Sequence, residues 1–463
     1  MKKFVVLWML FSVASIAYSQ TPKTEFRITE EPIFRSPEDS TDHARAQIEF
    51  KSLIADRSKS DAIDSLMNVI HDIRKRGMIG TRKVYSPSSS FIPYEATDKN
   101  YSEIKNLSIS VKGLKRIPKD VLLCRNLESL ELVNTSIRKI PKNLKGLSHL
   151  SSIYILNNKI SGKLKLGKNK SVTTLGIRGT NPEEIPTSFK KFRSLEKLDL
   201  AATELTSFPK GVSKNKKLKE LLLSSNQITL VADRIPVHLS LEKLELQKNK
   251  ITVLPASIKN FPSLKRLMLS YNEIEEVDPA IASLTKLEQI SFYKNKLKAI
   301  PEGVYALPNL KEIDLYYNQI EQVDDRIANL KNLEVLFLSY NLIFPVPENL
   351  CSLPNLKELY LSNNRLIELP VCISTMDKLK VLRVNNNELI QVPNDLLRLK
   401  SLENLDISSN QITELPDGLL TLPSLKLLVL ANNPWNETSL IKLAAATQHF
   451  RDQGVVVHIE GNQ

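Results

Sequence analysis

The sequence has few of the residues on which catalysis, metal binding and disulfide frameworks depend. Its 463 residues include 13 glycines, 6 histidines and 3 cysteines, and the histidines are scattered without the spacing of metal ligands. No GxSxG, HExxH or phosphate-loop pattern occurs. We therefore expect no catalytic residue, no metal site and no cofactor, and we interpret the chain as a non-enzyme.

Long hydrophobic runs are also missing, except at the N-terminus. There, Lys2 and Lys3 precede an apolar run over residues 4–17, and a small-x-small pattern ends at Ser19. The run is shorter than the roughly 20 residues needed to span a bilayer. The pattern predicts a signal peptide at residues 1–19 that is cleaved, leaving no transmembrane segment. We expect an exported protein, located in the periplasm, at the cell surface or outside the cell.

What the chain has in abundance is a 23-residue repeat. In "LEKLELQKNKITVLPASIKNFPS", which begins at Leu241, apolar residues occupy places 1, 4, 6, 11, 14, 18 and 21. Ordering a coil costs roughly 1 to 2 kcal/mol per residue, and about seven apolar side chains return only about 2 kcal/mol each. A single coil cannot fold alone, so the coils must stack into a solenoid. The coils begin at Ile104, Leu127, Leu150, Val172, Leu195, Leu218, Leu241, Leu264, Leu287, Leu310, Leu333, Leu356, Leu379, Leu402 and Leu425.

The consensus LxxLxLxxNxLxxLPxxLxxLxx resembles the leucine-rich repeat, in the 23-residue variant of Ras-group and many bacterial members. The resemblance implies an α/β fold, a right-handed horseshoe of about 15 coils with a parallel sheet on its concave face. We predict a signal peptide at 1–19, an extended lead-in at 20–41, a helical N-terminal cap and loop at 42–103, the array at 104–433, and a helix-plus-strand C-terminal cap at 434–463. Within the N-terminal cap, residues 78–103 are interpreted as a loop.

The ninth place of most coils is asparagine. An amide both donates and accepts hydrogen bonds, so a stacked row can satisfy buried backbone groups of the turns. We interpret this ladder as structural. It comprises Asn226, Asn249, Asn272, Asn295, Asn318, Asn341, Asn364, Asn387, Asn410 and Asn433.

Aromatic residues gather at outward-facing places of the eighth to twelfth coils. Side by side on adjacent strands, they form the kind of apolar surface that marks a binding site. The alternative is that they only stabilise the sheet, by roughly 0.2 to 1 kcal/mol per cross-strand pair. The candidate partner-binding residues are Tyr271, Tyr293, Tyr316, Tyr317, Phe337, Tyr340, Tyr360 and Arg383.

Positive charge is concentrated in the first five coils. Residues 101–220 contain 25 Lys and Arg against 10 Asp and Glu, whereas residues 221–463 contain 24 against 28. The excess could attract an anionic glycan or envelope polymer, or it could be a solvated flank. Nucleic acid is disfavoured by export and by the lack of a nucleic-acid-binding motif.

The three cysteines are Cys124, Cys351 and Cys372, and their odd number leaves at least one free thiol in a monomer. Cys351 and Cys372 fall on neighbouring coils but at the nineteenth and seventeenth places, which are out of line. The spacing favours small buried side chains over a disulfide.

The sequence thus predicts an exported, non-catalytic scaffold that binds a protein or peptide partner on its concave face. The alternative is a binder of anionic glycan that uses the basic first five coils. Because one fold hosts many roles, the repeats alone do not decide between them.

Overall fold

The computed structural model describes residues 27–34, 78–86, 91–94 and 101–459, except residues 143, 145, 161, 187–188, 230–234, 417 and 420–421. The chain divides into two compact units, and each is described by itself. The first comprises residues 1–99 and 106–110, and the second residues 100–105 and 111–463.

The first unit contains strands at residues 27–34, 78–86 and 92–93, where the sequence predicts none. Strand β1 (Arg27–Phe34) pairs antiparallel with β2 (Met78–Ser86), and β3 (Ile92–Pro93) pairs in parallel with β4 (Asn106–Ile109). The expectation of a loop over residues 78–103 is therefore wrong at residues 78–86 and 92–93. The segment of β2, MIGTRKVYS, is rich in β-branched and aromatic residues, which favour strands. The helix expected between residues 42 and 77 lies outside the described residues.

The second unit is built on a long parallel sheet. All its strands except β6, β8, β13 and β15 pair in chain order, each with the next coil. The strands are β5 (Ser129–Val133), β6 (Lys139–Ile140), β7 (Ser152–Leu156), β8 (Lys165–Leu166), β9 (Thr174–Arg178), β10 (Lys197–Asp199), β11 (Glu220–Leu222), β12 (Lys243–Glu245), β13 (Val253–Leu254), β14 (Arg266–Met268), β15 (Glu276–Val277), β16 (Gln289–Ser291), β17 (Glu312–Asp314), β18 (Val335–Phe337), β19 (Glu358–Tyr360), β20 (Val381–Arg383), β21 (Asn404–Asp406), β22 (Leu427–Val429) and β23 (Val456–His458).

The register of the sheet follows the sequence repeat. Leu244 pairs with Leu267, which pairs with Ile290, so each step is one 23-residue coil. The leucines at places 1, 4 and 6 are fully buried, as Leu264, Leu267 and Leu269 show. The structure therefore confirms the predicted α/β solenoid with a shared apolar core.

Short 3₁₀ turns follow the main-sheet strand in most coils. A proline precedes several of them, including Pro255, Pro301 and Pro347, where its fixed φ suits the turn and no N–H is required. The turns span Asp120–Leu123, Pro182–Glu184, Phe189–Lys191, Val212–Lys214, Ala256–Asn260, Pro279–Ser283, Glu302–Ala306, Asp325–Asn329, Glu348–Ser352, Val371–Thr375 and Asn394–Arg398.

Two neighbouring turns are joined by a disulfide that the sequence analysis did not favour. Cys351 and Cys372 are bonded, with their Cα atoms 5.9 Å apart, and Cys124 is a buried free thiol. The expectation of two unpaired side chains is therefore wrong. A 3₁₀ turn has about three residues per revolution, so places 17 and 19 point in different directions. One can face the preceding coil while the other faces the following coil.

The C-terminal end is a helix followed by a strand, as predicted. Helix α1 (Glu437–Asp452) begins after Asn436, whose Oδ1 accepts a hydrogen bond from the backbone N–H of Ser439 at 2.9 Å. Gly454, at φ +74°, reverses the chain, and β23 then pairs with β22. Among the described helices, none combines the length and hydropathy required to cross a membrane.

Candidate binding surface

The ladder asparagines use both ends of their amides within the fold. Asn295 Nδ2 donates to the carbonyls of Phe292 (2.9 Å) and Leu269 (3.1 Å), and its Oδ1 accepts from the N–H of Ile274 at 2.9 Å. A further contact to Tyr293 O measures 3.4 Å. The other nine ladder residues make equivalent bonds. These side chains are committed to the turns and have little capacity for a ligand.

The residue before each ladder asparagine has a left-handed backbone. At this eighth place φ lies between +54° and +58° from Ser225 to Asn432. Asparagine tolerates this region and is found at the eighth place of three coils, as Asn363, Asn386 and Asn432. Bulky residues are disfavoured there. Three coils nevertheless place a tyrosine at it, namely Tyr271, Tyr317 and Tyr340.

Five tyrosine rings form one connected group on the outward face of the sheet. The ring centroids of Tyr271 and Tyr293 lie 5.1 Å apart, and those of Tyr293 and Tyr316 lie 5.7 Å apart. Tyr317 stacks on Tyr340 at 4.1 Å, and Tyr316 contacts both of them at 5.0 and 5.1 Å. All five side chains are partly exposed. Their packing therefore presents a broad aromatic surface rather than filling the core.

A second group continues the surface along the strand centres. Phe337 on β18 pairs with Tyr360 on β19, and their rings stack at 4.7 Å. The exposed guanidinium of Arg383, on β20, lies 5.8 Å from the Tyr360 ring centroid. The structure thus brings all eight predicted residues together along six consecutive coils. Their aromatic rings form two groups, and Arg383 lies at the end of the second group.

Cations flank the aromatic rings at both ends. Lys248 and Lys294 lie 5.5 and 5.2 Å from the Tyr271 ring centroid, and both are exposed. Arg383 provides the charge at the opposite end. Lys248 was missed by the sequence analysis, although it lies at the same eighth place as Tyr271, because the candidates taken were aromatic residues and Arg383. A periodic preference for Asn, Ser and Gly at that place is the clue that could have revealed it.

A carboxylate lies beneath the rings. Asp314 accepts hydrogen bonds from Ser291 Oγ (2.8 Å) and from the N–H of Tyr316 (3.1 Å). Burial nevertheless raises its pKa to about 6. Burial likewise raises the pKa of Tyr316 to about 12, so its hydroxyl stays protonated and can donate to a partner at neutral pH.

In the first five coils, a cation at the end of a main-sheet strand is paired with the next coil. Arg178 forms an ion pair with Asp199 through its Nε and Nη2 atoms, Nε to Oδ2 being 2.9 Å. Charges at the second place of later coils also pair, as in Lys265–Glu242 (3.0 Å) and Lys311–Glu288 (3.0 Å). Ion pairs between neighbouring coils therefore neutralise much of the charge next to the strands.

Comparison with known proteins agrees with this architecture. The family described as "Leucine rich repeat" matches residues 239–297, 262–320, 287–343, 308–366 and 377–434. No curated protein matches the sequence. The chain therefore has a leucine-rich-repeat solenoid fold.

Solved structures with the same fold include bacterial and animal proteins. A leucine-rich-repeat protein from Leptospira interrogans is 26% identical, with a TM-score of 0.54, over 80% of this chain and 100% of that one. Toll, in a Drosophila Toll–Spatzle complex, is 20% identical with a TM-score of 0.54, over 74% of this chain and 55% of that one. TLR13, in a complex with ssRNA13, is 20% identical with a TM-score of 0.59, over 77% and 57%.

Proposed function

We propose that the protein is a non-catalytic scaffold that binds a protein partner on the outward face of its parallel sheet. The observation that carries the proposal is the aromatic patch, defined as Tyr271, Tyr293, Tyr316, Tyr317, Phe337, Tyr340 and Tyr360 with Arg383. Aromatic residues and arginine dominate the energetics of protein interfaces. Toll, which has the same fold, binds another protein in its solved complex, and this precedent is compatible with the proposal.

Backbone geometry supports a binding role over a purely structural one. Tyrosine in the left-handed region costs roughly 1 to 2 kcal/mol, and strained residues cluster at functional sites. The fold does not require this cost, since Asn363 and Asn386 occupy the same place two and three coils after Tyr317. The contacts among Tyr271, Tyr317 and Tyr340 return only part of it, about 0.5 to 1.5 kcal/mol per aromatic pair.

The charges define the chemistry of the partner. The surface is aromatic in the middle and has exposed cations at both ends, Lys248 and Lys294 near Tyr271 and Arg383 beside Tyr360. A complementary segment would present apolar groups at its centre and acidic side chains toward its ends. We propose a protein partner with such a segment.

The test is affinity capture from cell-envelope and host extracts, read by mass spectrometry. The patch variant carries Tyr293→Ala, Tyr316→Ala and Phe337→Ala. The matched control carries Phe344→Ala, Ile367→Ala and Ile390→Ala. These three apolar side chains are 43%, 38% and 56% exposed, and they lie in the coil of Phe337 and in the two coils that follow it. We expect the control to retain the partner captured by the wild type and the patch variant to lose it. Retention by both variants, with unchanged melting, would reject the patch.

We also propose that the protein is exported after cleavage following Ser19. The disulfide between Cys351 and Cys372 supports this, because disulfides persist in oxidising compartments. N-terminal sequencing of the mature protein should give Gln20 as the first residue. A mature chain that retains Met1 would contradict cleavage.

A further inference from the structure

The irregular early coils contain a cavity that the aromatic patch does not involve. It has a volume of about 480 Å³ and lies within the second unit. Apart from Gly179 and Ile160, its lining residues have polar or charged side chains, and no aromatic ring contributes. Small-ligand sites typically measure about 300 to 1,000 Å³. The lining comprises Lys115, Ser136, Arg138, Asn158, Lys159, Ile160, Gly179, Asn181 and Glu184.

The cavity arises where the asparagine ladder is interrupted. In regular coils the N–H at the eleventh place is accepted by the asparagine of the next coil, as Ile274 is by Asn295. For Ile160 the ninth place of the next coil is Thr180, and Glu184 Oε1 accepts the N–H instead, at 3.0 Å. Gly179, at the eighth place, has no side chain where other coils carry tyrosine, lysine or asparagine. The exchange leaves open space beside a carboxylate.

One oxygen of that carboxylate accepts no hydrogen bond from the part of the chain that the structure describes. Glu184 is only 7% exposed, and within the described residues its Oε2 makes no hydrogen bond. A buried acceptor left unpaired is costly. Burial raises the pKa of this carboxyl, with the N–H of Ile160 and the charge of Lys159 opposing the change. A ligand hydroxyl or amine at this point would satisfy the oxygen.

The rim of the cavity has the opposite charge. Lys115, Arg138 and Lys159 are exposed, and none of the ion pairs found among the described residues involves them. Lys115 and Arg138 occupy the same twelfth place on consecutive coils, which are about 4.8 Å apart. Two adjacent cations at this spacing can share one carboxylate or sulfate group.

We propose that this cavity binds an acidic sugar unit, such as a uronic acid of an anionic glycan. A ring hydroxyl donates to Glu184 Oε2, and the sugar carboxylate lies against Lys115 and Arg138. The polar lining suits a hydrophilic ligand. The combination of one buried acceptor with several cations selects a compound that has both hydroxyl donors and a negative charge. The cavity shares no residue with the aromatic patch, so glycan binding here and protein binding there can be tested separately.

The test is isothermal titration calorimetry with digalacturonate, with cellobiose as a neutral probe and inorganic phosphate as a probe of charge alone. We expect digalacturonate to bind and both other probes to bind about tenfold more weakly or worse. Glu184→Gln keeps a carbonyl oxygen for the Ile160 N–H but replaces the free acceptor by a donor. It should weaken digalacturonate binding by about tenfold or more without lowering the melting temperature substantially.

A second variant and a matched control complete the experiment. Arg138→Gln should also weaken binding, and because its side chain is exposed it decides the matter if Glu184→Gln does not fold. Lys190→Gln, which removes an exposed cation outside the cavity, should bind as the wild type does. Absence of digalacturonate binding, binding unchanged in both cavity variants, or phosphate binding of equal strength would overturn the proposal.

Discussion

Tyr317 and Tyr340 stack with their ring centroids 4.1 Å apart, although both residues hold a left-handed backbone, at φ +56° and +55°. The stack contributes about 0.5 to 1.5 kcal/mol, whereas the left-handed backbone costs roughly 1 to 2 kcal/mol at each of the two residues. The pair therefore adds little net stability, and its retention in the fold is better explained by what the rings contact on the outside.

Replacement of Tyr340 by asparagine separates these two effects. Tyr340→Asn relieves the strain and loses the stacking, so we expect the free energy of unfolding to change by less than about 1 kcal/mol. Partner capture should nevertheless fall. Urea unfolding followed by circular dichroism measures the first quantity, and a pull-down measures the second. A loss of about 3 kcal/mol or more, as for a large core residue, would mean that the ring is structural.

The regular part of this fold could be predicted from the sequence because the same small set of physical requirements repeats in every coil. Leu264, Leu267 and Leu269 must be buried, and Asn272 must satisfy the turn, so the pattern and the register follow directly. The outward positions of the tyrosines follow from strand alternation and from their places after the strand. The left-handed backbone of Tyr271, Tyr317 and Tyr340 does not follow, because tyrosine does not favour that region.

Features that depend on departures from the repeat were not predictable in the same way. Glu184 replaces a ladder asparagine at a different place in its coil, so a fixed register overlooks it. The bond between Cys351 and Cys372 depends on the directions of side chains in 3₁₀ turns rather than on matching places. Strands β1 and β2 are far apart in the sequence, and no local sequence pattern predicts that they pair.

The asparagine ladder should contribute strongly to stability. Asn295→Ala leaves the N–H of Ile274 without its partner. It also removes one of two donors from the carbonyls of Leu269 and Phe292, which keep their bonds from Asn272 and Asn318. We expect a loss of roughly 2 to 4 kcal/mol, measured by urea unfolding. Asn309→Ala is the control, because it removes one exposed hydrogen bond to Thr285 O and should cost less than about 1 kcal/mol. Equal losses in the two variants would contradict a special role for the ladder.

The disulfide should be present in the purified protein and should stabilise it. Thiol titration of the unfolded, unreduced chain should find one free thiol, that of Cys124. Cys351→Ser with Cys372→Ser should lower the free energy of unfolding by about 3 kcal/mol, since the bond closes a loop with a sequence separation of 21. Detection of three free thiols would show that the bond does not form.

Asp314 should make stability depend on pH. Its pKa is raised to about 6 in the folded state, whereas an unfolded aspartate titrates near 3.9. Both states are protonated below about pH 4, and the unfolded state ionises first as the pH rises. Stability should therefore decrease between about pH 4 and pH 6 and then remain level with respect to this group.

The matching substitution is Asp314→Asn. It should raise the melting temperature at pH 7.5, where the gain in stability is roughly 1 to 3 kcal/mol, and change it much less at pH 4. Asp325→Asn removes an exposed carboxylate and is the control. Differential scanning calorimetry at both pH values measures the effect. An equal shift at both values would show that ionisation of Asp314 is not the cause.

The central claim is that the partner covers the outward face of the sheet. Hydrogen–deuterium exchange of the protein, with and without the captured partner, tests it most directly. Protection should appear over residues 289–295, 312–318 and 335–341, which contain four of the patch tyrosines and Phe337. The 3₁₀ turns at Glu302–Ala306 and Asp325–Asn329 should be unaffected. Protection confined to those turns, with none over the three strand segments, would contradict the account.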